Sequence, residues 1–268
     1  MPTQSADVIE LNDGINDALR EVIERYVDAK HLIDDLSYRK GAKIVAGEMA
    51  NDSYGPKCGL GFFIKTFPFI SQNSDVPQGE EFFALVPTRQ VIGMSYRWTP
   101  SSVTDKDVLL KHLQTLHLKD AKHIEIAEYF WIKPLGLFLA SEGKNRVAFF
   151  RAMGCEHIPA RVITSDYPAA SRLAMYQVNL HGYEEWLIVR DNRFVELLEY
   201  KQWSHPVLRQ YGVVERDDWP EDYPPVALVL EDCQTAVRSL SGMQSVDMQG
   251  KKYSNSKHQS WWQRLKAA

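Results

Sequence analysis

Residues 135–163 read LGLFLASEGKNRVAFFRAMGCEHIPARVI. The order of apolar and polar residues here decides the fold of the middle of the chain. Leu135 to Ala140 is an apolar run of strand length, and Ser141-Glu142-Gly143-Lys144-Asn145-Arg146 is a short polar turn after it. The next residues have a helical pattern that closes at Gly154, and Ile158 to Ile163 reads as a second strand. A helix entered from such a turn leaves its first N–H groups without intrahelical partners, and they point into the turn with the positive end of the helix dipole. An anion placed there is stabilised. Lys144 and Arg146 add two cations at the same spot, so phosphate is the simplest ligand.

Working outward, Phe82 to Val86 is strand-like, and Thr104 or Asp105 caps a helix running to about Leu118. Val108, Leu109, His112, Leu113 and Leu116 form the inner side of that helix, with His112 as a core histidine. Ile124 to Ile132 and Leu135 to Ala140 are two strands around Lys133-Pro134. Ahead of this region, Ile15, Leu19, Val22, Ile23, Tyr26 and Val27 recur at helical spacing, with Asp13 as the candidate N-cap and Asp17, Arg20, Glu21 and Glu24 opposite. Ala42 to Ala50 adds a short helix or strand, and residues 71–79 form a linker. Beyond Tyr167-Pro168, Glu185 to Val189 and Phe194 to Leu198 flank residues 190–193 as a hairpin. Trp203 to Gly212 reads as a helix, 217–225 as an acidic, proline-rich loop, and Val226 to Leu230 as a strand. The expected class is α+β: a mainly helical N-terminal extension (1–78), a core (79–175), and a C-terminal mixed α/β region (176–268).

The turn, helix and strand resemble the ParB/sulfiredoxin superfamily. Glu142-Gly143-Lys144-Asn145-Arg146 is similar to its turn, Val147 to Gly154 to its helix, and Ile158-Pro159-Ala160-Arg161-Val162 to its strand. The resemblance implies a ParB/sulfiredoxin-like core, with the first strand and its loop, here Val86-Pro87-Thr88-Arg89 and the stretch through Arg97, also lining the pocket. Sulfiredoxins need a cysteine beside the turn, where Lys144 and Asn145 stand. Partition ParB proteins carry Gly-Glu-Arg-Arg and a downstream helical DNA reader. Free serine kinases of this fold carry Asp-Gly-x-His-Arg. The chain looks most like stand-alone ParB-like nuclease-domain proteins of plasmids and mobile elements, a group that includes fertility-inhibition factors of conjugation.

That likeness implies a nucleotide or nucleic-acid phosphate as ligand, with ATP or CTP and Mg2+ as the cofactors to test and an ATPase or nuclease as the reaction class. Glu142 and Arg146 are the catalytic candidates. Arg89, Gly143, Lys144 and Asn145 are the phosphate-binding ones. Each has a plainer role open to it. Gly143 can serve a positive-φ turn, Asn145 can cap the helix, and Glu142 can pair with Arg146, bind a metal or orient water. Asn145 stands where the general acid–base histidine would be, which weighs on catalysis more than on binding. The alternative is a non-enzymatic interaction module with a degenerate core. Its working surface would be the N-terminal helix and the tail 249–268, whose Lys251, Lys252, Lys257, Arg264 and Lys266 alternate with Tyr253, Trp261 and Trp262. Such a tail suits single-stranded nucleic acid, a partner groove or an acidic protein surface.

Composition narrows the classes further. The formal net charge is −4, so any nucleic-acid contact has to come from a local patch. Cys58, Cys155 and Cys233 are few and far apart, which argues against a disulfide framework or structural zinc and for a reducing, cytoplasmic setting. Gly59 to Ile70, the longest apolar stretch, is interrupted by Lys65 and Pro68, so membrane insertion is not expected.

Overall fold

The computed structural model describes residues 9–11, 14–40, 59–70, 79–93, 103–115, 126–180, 182–198, 200–236, 238–239, 242–243 and 245–250. The expected segment 42–50, most of the 71–79 linker, Arg97 and the tail beyond 250 lie outside these residues. The class is α+β. A six-stranded sheet runs in the order β1 (Ile9–Glu10), β2 (Glu81–Pro87), β6 (His157–Ser165), β4 (Glu128–Ile132), β5 (Leu137–Glu142), β3 (Val91–Ile92). β4 is antiparallel to β5 and parallel to β6, while β2 is antiparallel to β6 and β3 parallel to β5.

This sheet is curled. Only the single turn Thr88–Gln90 separates β2 from β3, which holds their facing ends within about 15 Å. Four strand spacings of a flat sheet would set them roughly 19 Å apart. One face draws on every strand from β2 to β6. Ala84, Val86, Val91, Tyr129, Trp131, Phe138, Ala140, Ile158, Ala160 and Val162 form a single cluster with Val147, Phe149 and Phe150 of α4 (Lys144–Ala152). Leu109, Leu110 and Leu113 of α3 (Lys106–Thr115) pack on it less completely. Asp105 accepts a hydrogen bond from the Val108 amide at 3.1 Å, so the expected cap forms. The inner face of α3 is not as expected: Val108 is 65 % exposed and His112 is exposed, while Leu110 turns inward.

The other face packs against α1 (Asp17–Lys40), α2 (Gly59–Thr66) and the second sheet. α1 runs well past Val27, where the apolar spacing ends. Its start is capped by Asn16, whose Oδ1 accepts from the Leu19 amide at 2.8 Å; Asp13 lies outside the described residues. Leu19, Val22, Ile23, Tyr26, Val27 and Ile33 are buried, so one face of α1 packs into the core, while Glu21, Arg25, Asp28 and Leu32 stay exposed. It also buries charge. Lys30 Nζ donates to Asp34 Oδ1 at 2.5 Å, one helical turn on, and both side chains are 1 % exposed. Lys30 lies 5.8 Å from the ring centre of Phe62. Burial lifts the Asp34 carboxyl to about 6 against the pull of Lys30. Burial and the cations Arg151 and Lys30 push neighbouring His31 down to about 3.

The second sheet has the order β10 (Val214–Arg216), β7 (Leu173–Leu180), β8 (Tyr183–Arg190), β9 (Phe194–Leu197), β13 (Val246–Asp247). The expected hairpin is β8–β9, turning through Asp191 (φ 56°) and Asn192 (φ 54°). α5 (Lys201–Tyr211) confirms the helix expected near Trp203, and β11 (Arg238–Ser239) pairs with β12 (Gly242–Met243). Val226 to Leu230, expected as a strand, is instead the first half of α6 (Val226–Thr235). Val229, Leu230 and Cys233 are the residues it buries, at helical spacing. β7 has no counterpart among the expected elements, and it begins within the residues assigned to the core.

Candidate functional site

The strand–turn–helix of 137–152 forms, but with a tighter join than the six-residue turn expected. β5 runs to Glu142, α4 starts at Lys144, and Gly143 alone joins them in the left-handed region (φ 79°, ψ 24°). Ser141 belongs to the sheet: its hydroxyl donates to Glu128 Oε1 at 2.8 Å. Glu128 in turn pairs with Arg161, and Arg161 with Glu81 at 2.9 Å, so a polar ladder crosses four strands on the face away from α4.

Gly143 is needed twice over at its position. A side chain there would be strained by the backbone, and a Cβ would come within 3.0 Å of Ala127 Cβ and 3.2 Å of Ala127 Cα. No side chain caps α4, and the residue at its N-cap is Gly143, so Asn145 is not a cap. Asn145 is exposed in the first turn. The Arg146 amide already donates to the Gly143 carbonyl at 2.9 Å. The amides of Lys144 and Asn145 are the ones at the helix start that face outward without an intrahelical acceptor. Lys144 is half-buried and Glu142 exposed, and the two carboxylates Glu142 and Glu128 lie opposite each other in the β4–β5 register.

Arg146 is half-buried, and its Cδ lies over Gly143, 3.5 Å from where a Cβ would stand. Its positive charge is felt by the phenol of Tyr129, which lies in β4 opposite Ala140 of β5. That phenol is completely buried, and its hydroxyl has no hydrogen-bond partner among the described residues. Burial drives its ionisation far above the ordinary range, with Arg146 opposing the rise. The phenol therefore stays protonated, a donor held in the cluster that α4 covers. The residues alone give no signal of Tyr129; only the β4–β5 register brings it under the start of α4.

Arg89 is not brought to this turn. It is exposed and pairs with Glu24 of α1 at 3.4 Å. The turn that carries it is anchored at the far end of α4, where the Thr88 amide donates to the Glu156 carbonyl at 2.8 Å. The sequence signal for Arg89 is only that a second arginine suits a phosphate. Gly93, by contrast, lies at the site: a Cβ on it would stand 2.7 Å from Val147 Cγ2 and 2.9 Å from Ala140 Cβ. The stretch after β3 therefore leaves from beside the first turn of α4. Gly143, Lys144, Asn145 and Arg146 stay together as expected, with Glu142 beside them. Among the described residues no group of three His, Cys, Asp or Glu can hold a metal, and no helix is long and apolar enough to cross a membrane. Comparison with protein-family models, with curated proteins and with solved structures found no match.

Proposed function

We propose that the chain binds the phosphate of a nucleotide or of DNA at the start of α4, as a ParB-like protein of plasmid or mobile-element biology. The observation that carries this reading is the placement of Arg146. It is a half-buried cation in the first turn of a helix, over Gly143 and next to the first amides of α4, where the dipole that disfavours positive charge favours an anion. An oxyanion accepting from Arg146 and from the Lys144 and Asn145 amides offsets that unfavourable field. Lys144 adds a second cation. Mg2+ would be held chiefly by the phosphates of ATP or CTP, with Glu142 as the carboxylate nearest the turn. If hydrolysis occurs, Arg146 and Lys144 neutralise charge that develops on phosphate, and Glu142 orients water.

Titration calorimetry with ATP, CTP and inorganic phosphate tests this on the wild type and on Arg146→Ala. Losing one charge-assisted hydrogen bond costs about 1.5–3 kcal/mol, so the variant should bind roughly tenfold to a hundredfold more weakly. Equal affinities, or no heat with any of the three, would remove the phosphate site. Equal background ATPase and nuclease rates in both proteins would end the enzymatic part alone and leave the interaction-module reading.

A further inference from the structure

The loop between β10 and α6 displays charge on a firm base. Asp217, Asp218, Glu221 and Asp222 are exposed and have no cationic partner among the described residues, whereas Glu215 is taken up by His205 at 3.3 Å and Arg209 at 3.6 Å. Trp219 and Tyr223 pin the loop down. Their rings pack edge-on against each other at 5.3 Å, and against buried Tyr176 of β7 at 5.1 and 6.2 Å. Trp219 Nε1 donates to the Pro224 carbonyl at 2.9 Å. Four carboxylates among the six residues 217–222 repel, and fixing the loop in place keeps that repulsion until a cation arrives.

The described chain ends beside this loop. Asp247 of β13 accepts a bidentate pair from Arg193 at 2.6 and 2.9 Å, and its carboxylate also takes the Gln249 amide at 3.0 Å. Arg193 comes directly after Asn192 in the β8–β9 turn, and Asn192 Oδ1 accepts the hydroxyl of Tyr223 at 2.9 Å. The exit at Gly250 and the acidic loop therefore meet at one hairpin turn. The next residues of the sequence, 251–268, carry Lys251, Lys252, Lys257, Arg264 and Lys266 and no acidic residue. Their extended reach of roughly 60 Å is far more than the path requires.

We propose that the loop 217–222 is the docking surface for the chain's own basic tail, residues 251–268. The charges are complementary, the attachment point adjoins the surface, and a tethered segment acts at an effective concentration in the millimolar range. Because the loop is held by ring packing, the ordering cost of docking falls on the tail alone.

The test uses the full chain and a fluorescently labelled peptide of residues 251–268. In one variant the five tail cations are changed to glutamine. In a second, that change is combined with Asp217→Asn, Asp218→Asn, Glu221→Gln and Asp222→Asn. The four loop positions are exposed, and circular dichroism checks that each protein is folded. Measured by anisotropy at low salt, the tail-neutralised chain should bind the peptide at least about tenfold more tightly than wild type, whose loop is already taken. The doubly changed chain should not bind it. Equal binding to wild type and the tail-neutralised chain overturns docking within the chain, and binding that survives the loop changes overturns the surface. Concentration-dependent dimerisation of the wild type, lost on tail neutralisation, would assign the tail to a second copy and also overturn the proposal.

Discussion

Lys30→Met is expected to destabilise the protein by about 3–5 kcal/mol at neutral pH. Lys30 and Asp34 are both 1 % exposed, and Asp34 has no other cation within ion-pair distance among the described residues. Methionine keeps the volume and removes the charge, so the loss reflects an Asp34 carboxyl left unpaired in an apolar interior, where folding forces it to take up a proton. The pH dependence identifies the cause. Asp34 already sits at about 6 rather than 3.8, and without Lys30 its folded-state value climbs further. A carboxyl raised in the folded state lends stability that is complete below its unfolded value and is lost as pH rises through its folded one. The deficit of Lys30→Met should therefore be larger at pH 8 than at pH 5. His31 behaves oppositely in the wild type: lowered to about 3 from 6.5, it lends stability above pH 6.5 that drains away as pH falls toward 3. Lys30→Met/Asp34→Leu should recover most of the loss, because the pair costs desolvation as well as contributing attraction. Denaturant unfolding of the three proteins at both pH values decides this. A single variant within 1 kcal/mol of wild type would show that Asp34 finds another partner or water.

Gly143→Val should cost roughly 2–5 kcal/mol and abolish phosphate binding. A non-glycine residue at φ 79° is strained by about 1–2 kcal/mol, and the added Cβ meets Ala127 Cβ at 3.0 Å, an overpacking of about 1–3 kcal/mol. Gly154→Ala supplies the control. Its φ of 68° is similar but nothing lies within 4 Å of the new Cβ, so it should lose only the conformational part, about 1 kcal/mol, and bind normally. Thermal or urea unfolding with nucleotide titration reads both effects. Equal losses at the two glycines would mean that the crowding at Ala127 relaxes freely.

The same two glycines show why some of the molecule is legible in its sequence. Gly143 and Gly154 bracket α4, and both adopt the positive φ that makes glycine informative. The apolar run of β5 is read easily because the curled sheet buries its first four residues continuously, and the start of β6 because its buried residues Ile158, Ala160 and Val162 alternate. Val226 to Leu230 misleads because short apolar, β-branched runs suit a buried strand and a helix alike; the Val229–Cys233 spacing and Pro225 before it are the better guides. β7 hides because Ala174, Met175 and Gln177 are weak strand formers, and pairing with β8 along its whole length overrides that preference. The second half of α1 hides for a different reason. Lys30, His31 and Asp34 look like a solvated face, but their positions four apart let Lys30 and Asp34 satisfy each other inside.

Of the candidate site, the turn residues are legible because they are contiguous. Tyr129 is not, since only strand register brings it under α4, and Arg89 is misplaced because chemistry without topology cannot say which end of a helix it serves.

An oxyanion seated on the first amides of α4 is the feature on which the phosphate reading stands. Amide resonances tracked by 15N–1H correlation spectra during titration with ATP, CTP and inorganic phosphate test it directly. Lys144 and Asn145 should shift first and furthest, with Arg146 close behind, and Arg146→Ala should suppress those shifts. Amides of 143–146 that stay still while others move, or that do not move with any of the three ligands, would contradict it.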